Sequence, residues 1–432
     1  MASISISSNS STSPEPKENY TFAFGLVTSL FFMFGFITCL NDILVPHLKA
    51  LFTLNYAQAA LIEFCFFAAF FLISLPAGKL VAKLGYKVGT IAGLALTALA
   101  CLLFYPAASL QSYPFFLFGL FVLASGITII QVAVNPYISI LGPRKTASSR
   151  LNLAQAFNSL GTTLAPLFGA AFILAVKVQS AADLKLMPES DLAAYRATQA
   201  ASVQGPYLVL FAALVLLAIV VRYSHLPVIT EAIDETLHSA DAKMKQASAW
   251  KYRHLTLGAI GIFCYVGAEV AIGSYLVNFL GLPGVMSMPE VMAGKYVAYY
   301  WGGAMIGRFI GSAVMRKIKP GNALTMNAFF ALSLVIAAMT THGQLAMIAI
   351  LAVGLFNSIM FPTIFTLAID GLGEHTAQGS GILCMAIVGG AVIPLLQGVM
   401  ADHLGLQHSL LLPIVCYLFI AFYGIRGYQQ SR

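Results

Sequence analysis

Charge is what this chain has least of. Asp, Glu, Lys and Arg make up 9% of its 432 residues, against 59% hydrophobic, whereas a soluble domain carries about 25% charged residues. So few charges cannot cover a water-facing surface, which excludes an ordinary soluble domain. The net charge of +7 does not point to nucleic acid, because the basic residues sit in short clusters between apolar runs, as topology determinants do. None of the six cysteines is paired as CxxC, and Cys39, Cys65, Cys101, Cys264, Cys384 and Cys416 all lie in apolar runs. That pattern argues against a disulfide framework or a zinc site and for small packing residues. No GxxxxGK[ST] loop is present, so the usual cradle for ATP phosphates is missing. HExxH and GxSxG are missing too, which argues against a membrane protease or hydrolase; with no catalytic constellation in the sequence, neither an enzyme nor a resident cofactor is expected.

What the chain does have is long apolar runs. A spanning helix needs about 20 mostly apolar residues. Twelve such segments are predicted, near 20–45, 57–80, 88–107, 113–140, 151–177, 205–224, 255–280, 290–315, 321–340, 343–369, 377–400 and 407–427. The fold class is therefore an all-α membrane protein, since the backbone in lipid must satisfy its own hydrogen bonds. Residues 1–19, rich in Ser, Pro and Glu, read as a disordered tail. The first apolar run is too long for a cleavable signal and reads as the first spanning helix. With the N-terminus inside, the outer segments carry only Lys49, Lys177, Lys185, Arg196 and Lys295, and every other Lys or Arg except Arg308 falls inside. The positive-inside rule then places both termini in the cytoplasm. The longest inner connection, 225–254, divides the chain into bundles at 20–224 and 255–428. Val88 to Pro143 and Pro320 to Ile369 are both free of Asp, Glu, Lys and Arg, and each follows a basic cluster. NPYISILG (135–142) also resembles FPTIFTLAIDGLG (361–373), which aligns Pro136 with Pro362. Two six-helix halves related in this way are the layout of a secondary transporter.

Ionisable groups within spans are costly and are functional candidates for that reason. Asp42, Glu63 and Glu269 qualify, while Asp370 and Asp402 lie at helix ends and read as solvated. Asp42 follows Asn41 and precedes Pro46, which frees a backbone carbonyl about one turn earlier. A carboxylate on a loosened helix can take a proton or a cation; the plainer reading is an interfacial cap. Glu269 lies mid-helix between Gly267 and Gly273, suited to sugar hydroxyls or to a proton, or to a structural pairing with Arg308. Gln131 and Asn135 share one face of the fourth helix. Asn152, Gln155, Asn158, Ser159 and Thr162 recur at helical spacing on the fifth, and Asn357 and Phe361 lie one turn apart on the tenth. Amides both donate and accept, as sugar hydroxyls require, and a stripe that is polar but uncharged favours a neutral polyol over an ion. Amides also bind membrane helices together.

The segment PAGKLVAKLGYKVG (76–89) resembles the loop between helices 2 and 3 of the major facilitator superfamily, with Ala82 where an Asp is usual. LNDILVPHLKALF, RLNLAQAFNSLGTTLAP, FCYVGAEVAIGSYLVNFL and SIMFPTIFTLAIDGLG resemble the fucose–galactose–glucose permease family, in order and over nearly the whole chain. The similarity implies the major facilitator fold. In L-fucose carriers of that family, an Asp on helix 1 and a Glu on helix 4 serve proton coupling and sugar recognition. Asp42 matches the Asp, but Gln131 stands where the Glu would be, Phe361 replaces a Tyr, Cys39 an Asn, and Glu269 an amide. These departures resemble the bacterial glucose/galactose permease branch.

The expectation is thus a secondary active transporter of the bacterial inner (plasma) membrane, working as a monomer in the lipid bilayer. It imports a neutral hexose, glucose or galactose first, by symport with H+ or Na+ through alternating access. Asp42 and Glu269 are the candidates for cation coupling. Asn41, Gln131, Asn135, Gln155, Asn158, Glu269, Asn357 and Phe361 are the candidates for sugar binding. The alternatives within the family are N-acetylglucosamine, mannose, fructose or L-fucose as substrate, or an uncoupled facilitator.

Overall fold

The structure is a computed structural model. It describes residues 20–51, 56–110, 112–172, 187–227 and 248–430, with only the backbone path for 41–51, 56–60, 169–172 and part of 189–203. The expected tail and most of the expected linker lie outside the described residues. Among those residues the chain forms α1 (Thr21–Leu51), α2 (Tyr56–Leu84), α3 (Tyr86–Ser109), α4 (Tyr113–Ile140), α5 (Ala147–Phe172) and α6 (Glu189–Tyr223). It continues with α7 (Arg253–Gly281), α8 (Glu290–Val314), α9 (Pro320–Thr340), α10a (Gly343–Asn357), α10b (Met360–Ile369), α11a (Thr376–Met385), α11b (Gly389–Leu404) and α12 (Leu411–Phe422).

The packing repeats with a period of six helices. α1 lies on α5 as α7 lies on α11b; α2 lies on α4 as α8 lies on α10a. α3 packs on α4 and α6, as α9 packs on α10a and α12. The same operation exchanges the two main contacts between the halves, α2 with α11a and α5 with α8. The faint sequence repeat is therefore a repeat of architecture.

Ten helices among the described residues are long and apolar enough to cross a membrane. The remaining two are α5 and α8, which interrupt their apolar character with Asn152, Gln155, Asn158 and Thr162 on one and Lys295 and Arg308 on the other. These two pack on each other between the halves. A helix that turns a polar face to protein rather than lipid can carry such groups, so the least apolar helices lie where polarity is used.

The tenth and eleventh spans, expected as continuous helices, are each interrupted. α10 breaks at Ser358–Ile359, and the reason lies four residues on. Pro362 has no N–H to give the Ser358 carbonyl; the Arg308 Nε donates to it instead at 3.2 Å. Pro136, its partner in the repeat, leaves the Val132 carbonyl without its helical donor, and the Ser380 Oγ donates to it at 2.8 Å. In α11 the interruption is a tight turn at Ala386–Val388, ahead of Pro394, which itself sits inside α11b. Here the backbone gives way at Gly389, which lies against the Phe263 carbonyl so closely that a side chain has no room.

On the side of the α4–α5 and α10–α11 connections, hydroxyls and one ion pair hold the halves together. Ser148 and Thr366 share a hydrogen bond of 2.5 Å, the Ser149 Oγ donates to the Ser312 carbonyl at 2.6 Å, and Arg144 pairs with Asp370 at the surface. Nearby, α2 and α11a approach through Gly78 and Gly381, where a Cβ on Gly381 would stand 2.6 Å from the Ser74 carbonyl oxygen. Gly381→Leu is expected to pry these helices apart and to cost about 1–3 kcal/mol, the usual range for overpacking. A lowered midpoint of thermal unfolding in detergent checks this; an unchanged midpoint would contradict the close packing.

Candidate functional site

The centre of the molecule is organised by Arg308. α8 carries glycines at every fourth position, Gly303, Gly307 and Gly311, and that face lies directly on the tenth helix. A Cβ on Gly303 would stand 3.3 Å from the Leu355 nitrogen, and one on Gly307 2.5 Å from the Leu355 oxygen. Small residues are what allow membrane helices to approach this closely. The approach brings Arg308 to the break in α10, where its Nε meets the carbonyl that Pro362 released. Its Nη1 donates to the Ser159 Oγ on α5, in the other half. Its Nη2 stands 3.7 Å from Oε1 of Glu269, with the two side chains 13% and 11% exposed.

Glu269 is placed by α7. Gly267 admits Ile393 of α11b against the helix, which turns Glu269 and Tyr265 inward one turn apart. Both are buried, and the Tyr265 hydroxyl faces the Glu269 carboxylate and the Arg308 guanidinium. Phe361 covers Tyr265 with ring centroids 6.4 Å apart. A chain of hydrogen bonds stands behind Glu269. The Tyr417 hydroxyl donates to Oδ1 of Asn357 at 2.7 Å. Nδ2 of Asn357 donates to the Tyr300 hydroxyl at 2.9 Å, and that hydroxyl donates to the Glu269 backbone carbonyl at 3.1 Å. Tyr300, Asn357 and Tyr417 are wholly buried, and the bonds leave none of the three side chains without a partner.

The residues marked in the sequence thus divide. Glu269 and Phe361 come together at the centre. Gln131 and Gln155 are 9% and 7% exposed, and neither amide has a hydrogen-bond partner among the described residues, so both remain free to meet a ligand. Asn158 is committed, its Nδ2 donating to the Phe31 carbonyl at 3.0 Å. Asn135 is fully buried, with neither amide atom hydrogen-bonded among the described residues. Asn357 is spent on the two tyrosines. The side chains of Asn41 and Asp42 lie outside the described residues. Glu63 is exposed on α2. Sequence reasoning treated Arg308 only as a partner for Glu269 and missed its grip on Ser159 and Ser358. The available signal was that Arg308 is the one basic residue assigned to the interior of a span.

The arrangement offers donors and acceptors around a charge-balanced pair, with an aromatic floor. A sugar presents the complementary groups, and nothing in the cluster is arranged as a nucleophile with its base.

Comparison with known proteins agrees with this chemistry. A protein-family model described as Major Facilitator Superfamily matches residues 26–393. The chain is 56% identical over 416 residues to the glucose/galactose transporter of Brucella abortus biovar 1 (strain 9-941), covering 96% of each. It is 37% identical over 417 residues to the L-fucose-proton symporter of Escherichia coli (strain K12), covering 94% of this chain and 93% of the other. Among solved structures, the transporter FucP in its outward conformation superimposes with a TM-score of 0.87 at 35% identity, covering 95% of this chain and all of that one.

Asn357→Leu is expected to destabilise the protein by about 2–4 kcal/mol, because it removes two buried hydrogen bonds and strands the Tyr417 hydroxyl, while the Tyr300 hydroxyl keeps its bond to the Glu269 carbonyl. Folded protein is expected to keep its affinity for ligand within about threefold, since the amide is already committed to the tyrosines. Thermal unfolding and equilibrium binding on the same sample check both statements.

Proposed function

The chain belongs to the Major Facilitator Superfamily, and from that membership we propose that it imports a neutral hexose, glucose or galactose first, by symport with H+ or Na+ through alternating access. The chain is a multi-pass membrane sugar transporter of a family whose members are not enzymes; the substrate and the coupling are the finer claim. What carries that claim is the pair of uncommitted amides, Gln131 and Gln155, together with an interior ion pair whose charges cancel one another. Such a lining suits a polyol and disfavours a charged solute. Identity of 56% to a protein named as a glucose/galactose transporter supports the same reading.

Asp42 is assigned the coupling cation. It sits on the helix that packs on α5, four residues before Pro46, which has no N–H to give the carbonyl one turn earlier. Glu269 is the second candidate. The halves 20–224 and 255–428 rock about the site, and the side held by Arg144–Asp370, Ser148–Thr366 and Ser149–Ser312 is assigned to the cytoplasm together with both termini. The structure then represents the state open to the outside, in keeping with its likeness to an outward-conformation relative. The protein would work as a monomer in the bacterial inner membrane.

Uptake of labelled glucose into proteoliposomes tests the reading, with proton and sodium gradients imposed separately and with unlabelled galactose, mannose, fructose, L-fucose and N-acetylglucosamine as competitors. Accumulation is expected with one gradient only, and competition by galactose. Entry that merely equilibrates under either gradient would make the protein a facilitator, and no glucose entry would move the substrate to another sugar of the panel. Asp42→Asn is expected to lose accumulation while retaining sugar exchange between the two sides. Full accumulation by that variant would remove Asp42 from the coupling.

A further inference from the structure

We infer that Arg308 is itself a sugar ligand, and that a hydroxyl of the transported hexose bridges its Nη2 and the Glu269 carboxylate. This deepens the sugar-transport reading and rests on it. An arginine carries five N–H donors. Nε serves the Ser358 carbonyl and one Nη1 proton serves Ser159. Three N–H groups are left with no hydrogen bond among the described residues. Oε1 of Glu269 is 3.7 Å from Nη2, beyond the 2.7–2.9 Å of a charge-assisted hydrogen bond, and the Tyr265 hydroxyl stands beside both groups. The Glu269 oxygen is buried and has no hydrogen-bond partner among the described residues, and the same is true of the Tyr265 hydroxyl.

Two opposite charges free to close on each other would do so. Here Arg308 is held back. Arg308 is pinned from both halves, at Ser159 on α5 and at the α10 break. The α7 backbone is held at Glu269 by the Tyr300 hydroxyl, through the Glu269 carbonyl. The two hydrogen bonds of Arg308 hold the stand-off open. A hydroxyl is the group that fits it, since it donates to the carboxylate and accepts from the guanidinium at once. Adjacent ring hydroxyls of a pyranose match the planar fork of a guanidinium, which a lysine does not reproduce. Phe361 and Tyr265 supply a ring face beside it. Because Ser159 belongs to the other half, the ligand group is completed only when α5 and α8 are together.

Equilibrium binding to the purified protein tests this, using glucose, galactose and each monodeoxyglucose in turn, on wild type, Arg308→Lys and the double variant Glu269→Gln with Arg308→Gln. Wild-type protein is expected to lose about tenfold or more in affinity on removal of one hydroxyl, or of either of two adjacent ones, as for a hydrogen bond to charged groups. In the double variant that same deletion is expected to cost less than about threefold, because the partners are gone. Arg308→Lys keeps the charge and is expected to unfold within a few degrees of wild type while binding glucose about tenfold more weakly. If the deoxy penalty persists in the double variant, or Arg308→Lys binds as wild type does, Arg308 is only a structural counter-charge and the inference is overturned. Wild-type protein that binds none of the hexoses would instead overturn the sugar reading beneath it.

Discussion

A guanidinium inside a membrane span has to be answered by the protein around it, and much of the centre of this molecule is that answer. An unpaired charge there costs several kcal/mol, so Arg308 must find an anion and acceptors for its donors. The glycine ladder on α8 brings it to α10. Pro362 supplies a carbonyl that the helix cannot use. Glu269 supplies the opposite charge, and Ser159 an acceptor from the other half. Removing any one of these leaves Arg308 short of a partner, which explains why a break, a glycine face and an acid occur together on three neighbouring helices.

The same device appears once more at a lower stake. Pro136 releases the Val132 carbonyl, and Ser380 of the opposite half caps it. The two prolines are related by the repeat, and in both cases the freed carbonyl is satisfied by another helix rather than by water. A proline in each half thus creates a polar attachment point at membrane depth without adding a charge. On the side of the α4–α5 and α10–α11 connections the halves are joined by hydroxyl pairs and one exposed ion pair, and an exposed pair is worth about 0–1 kcal/mol. The buried apolar core runs through both halves as one continuous cluster. Between the halves these weak polar bonds lie beside the close packing of α2 on α11a and of α5 on α8.

Much of this was legible in the sequence. The apolar runs marked the spans, because hydrocarbon thickness sets their length, and the alignment of Pro136 with Pro362 exposed the repeat. The Gln and Asn stripe on α5 was visible as spacing, and Glu269 as an acid in a small-residue setting. What spacing does not reveal is which amides are already spent. Asn357 looked as available as Gln155, yet Tyr300 and Tyr417, 57 and 60 residues away in sequence, take both ends of it. Asn158 is likewise taken by the Phe31 carbonyl, 127 residues away. The interruption of α11 was hidden for a similar reason: it follows from Gly389 meeting the Phe263 carbonyl, a contact between distant segments, rather than from Pro394 nearby. Arg308 was the clearest missed signal, a basic residue in a span whose partners all lie on other helices.

The central claim is that the polar contact between α5 and α8 is where the sugar sits. Gln155→Cys, in a chain whose native cysteines are replaced by serine, places a thiol on that face, and its rate of reaction with a water-soluble maleimide in membranes reads access directly. The account predicts that glucose slows the reaction several-fold, at concentrations that saturate uptake, while mannitol does not. A rate indifferent to glucose in a variant that still transports it would contradict the account and move the site away from α5.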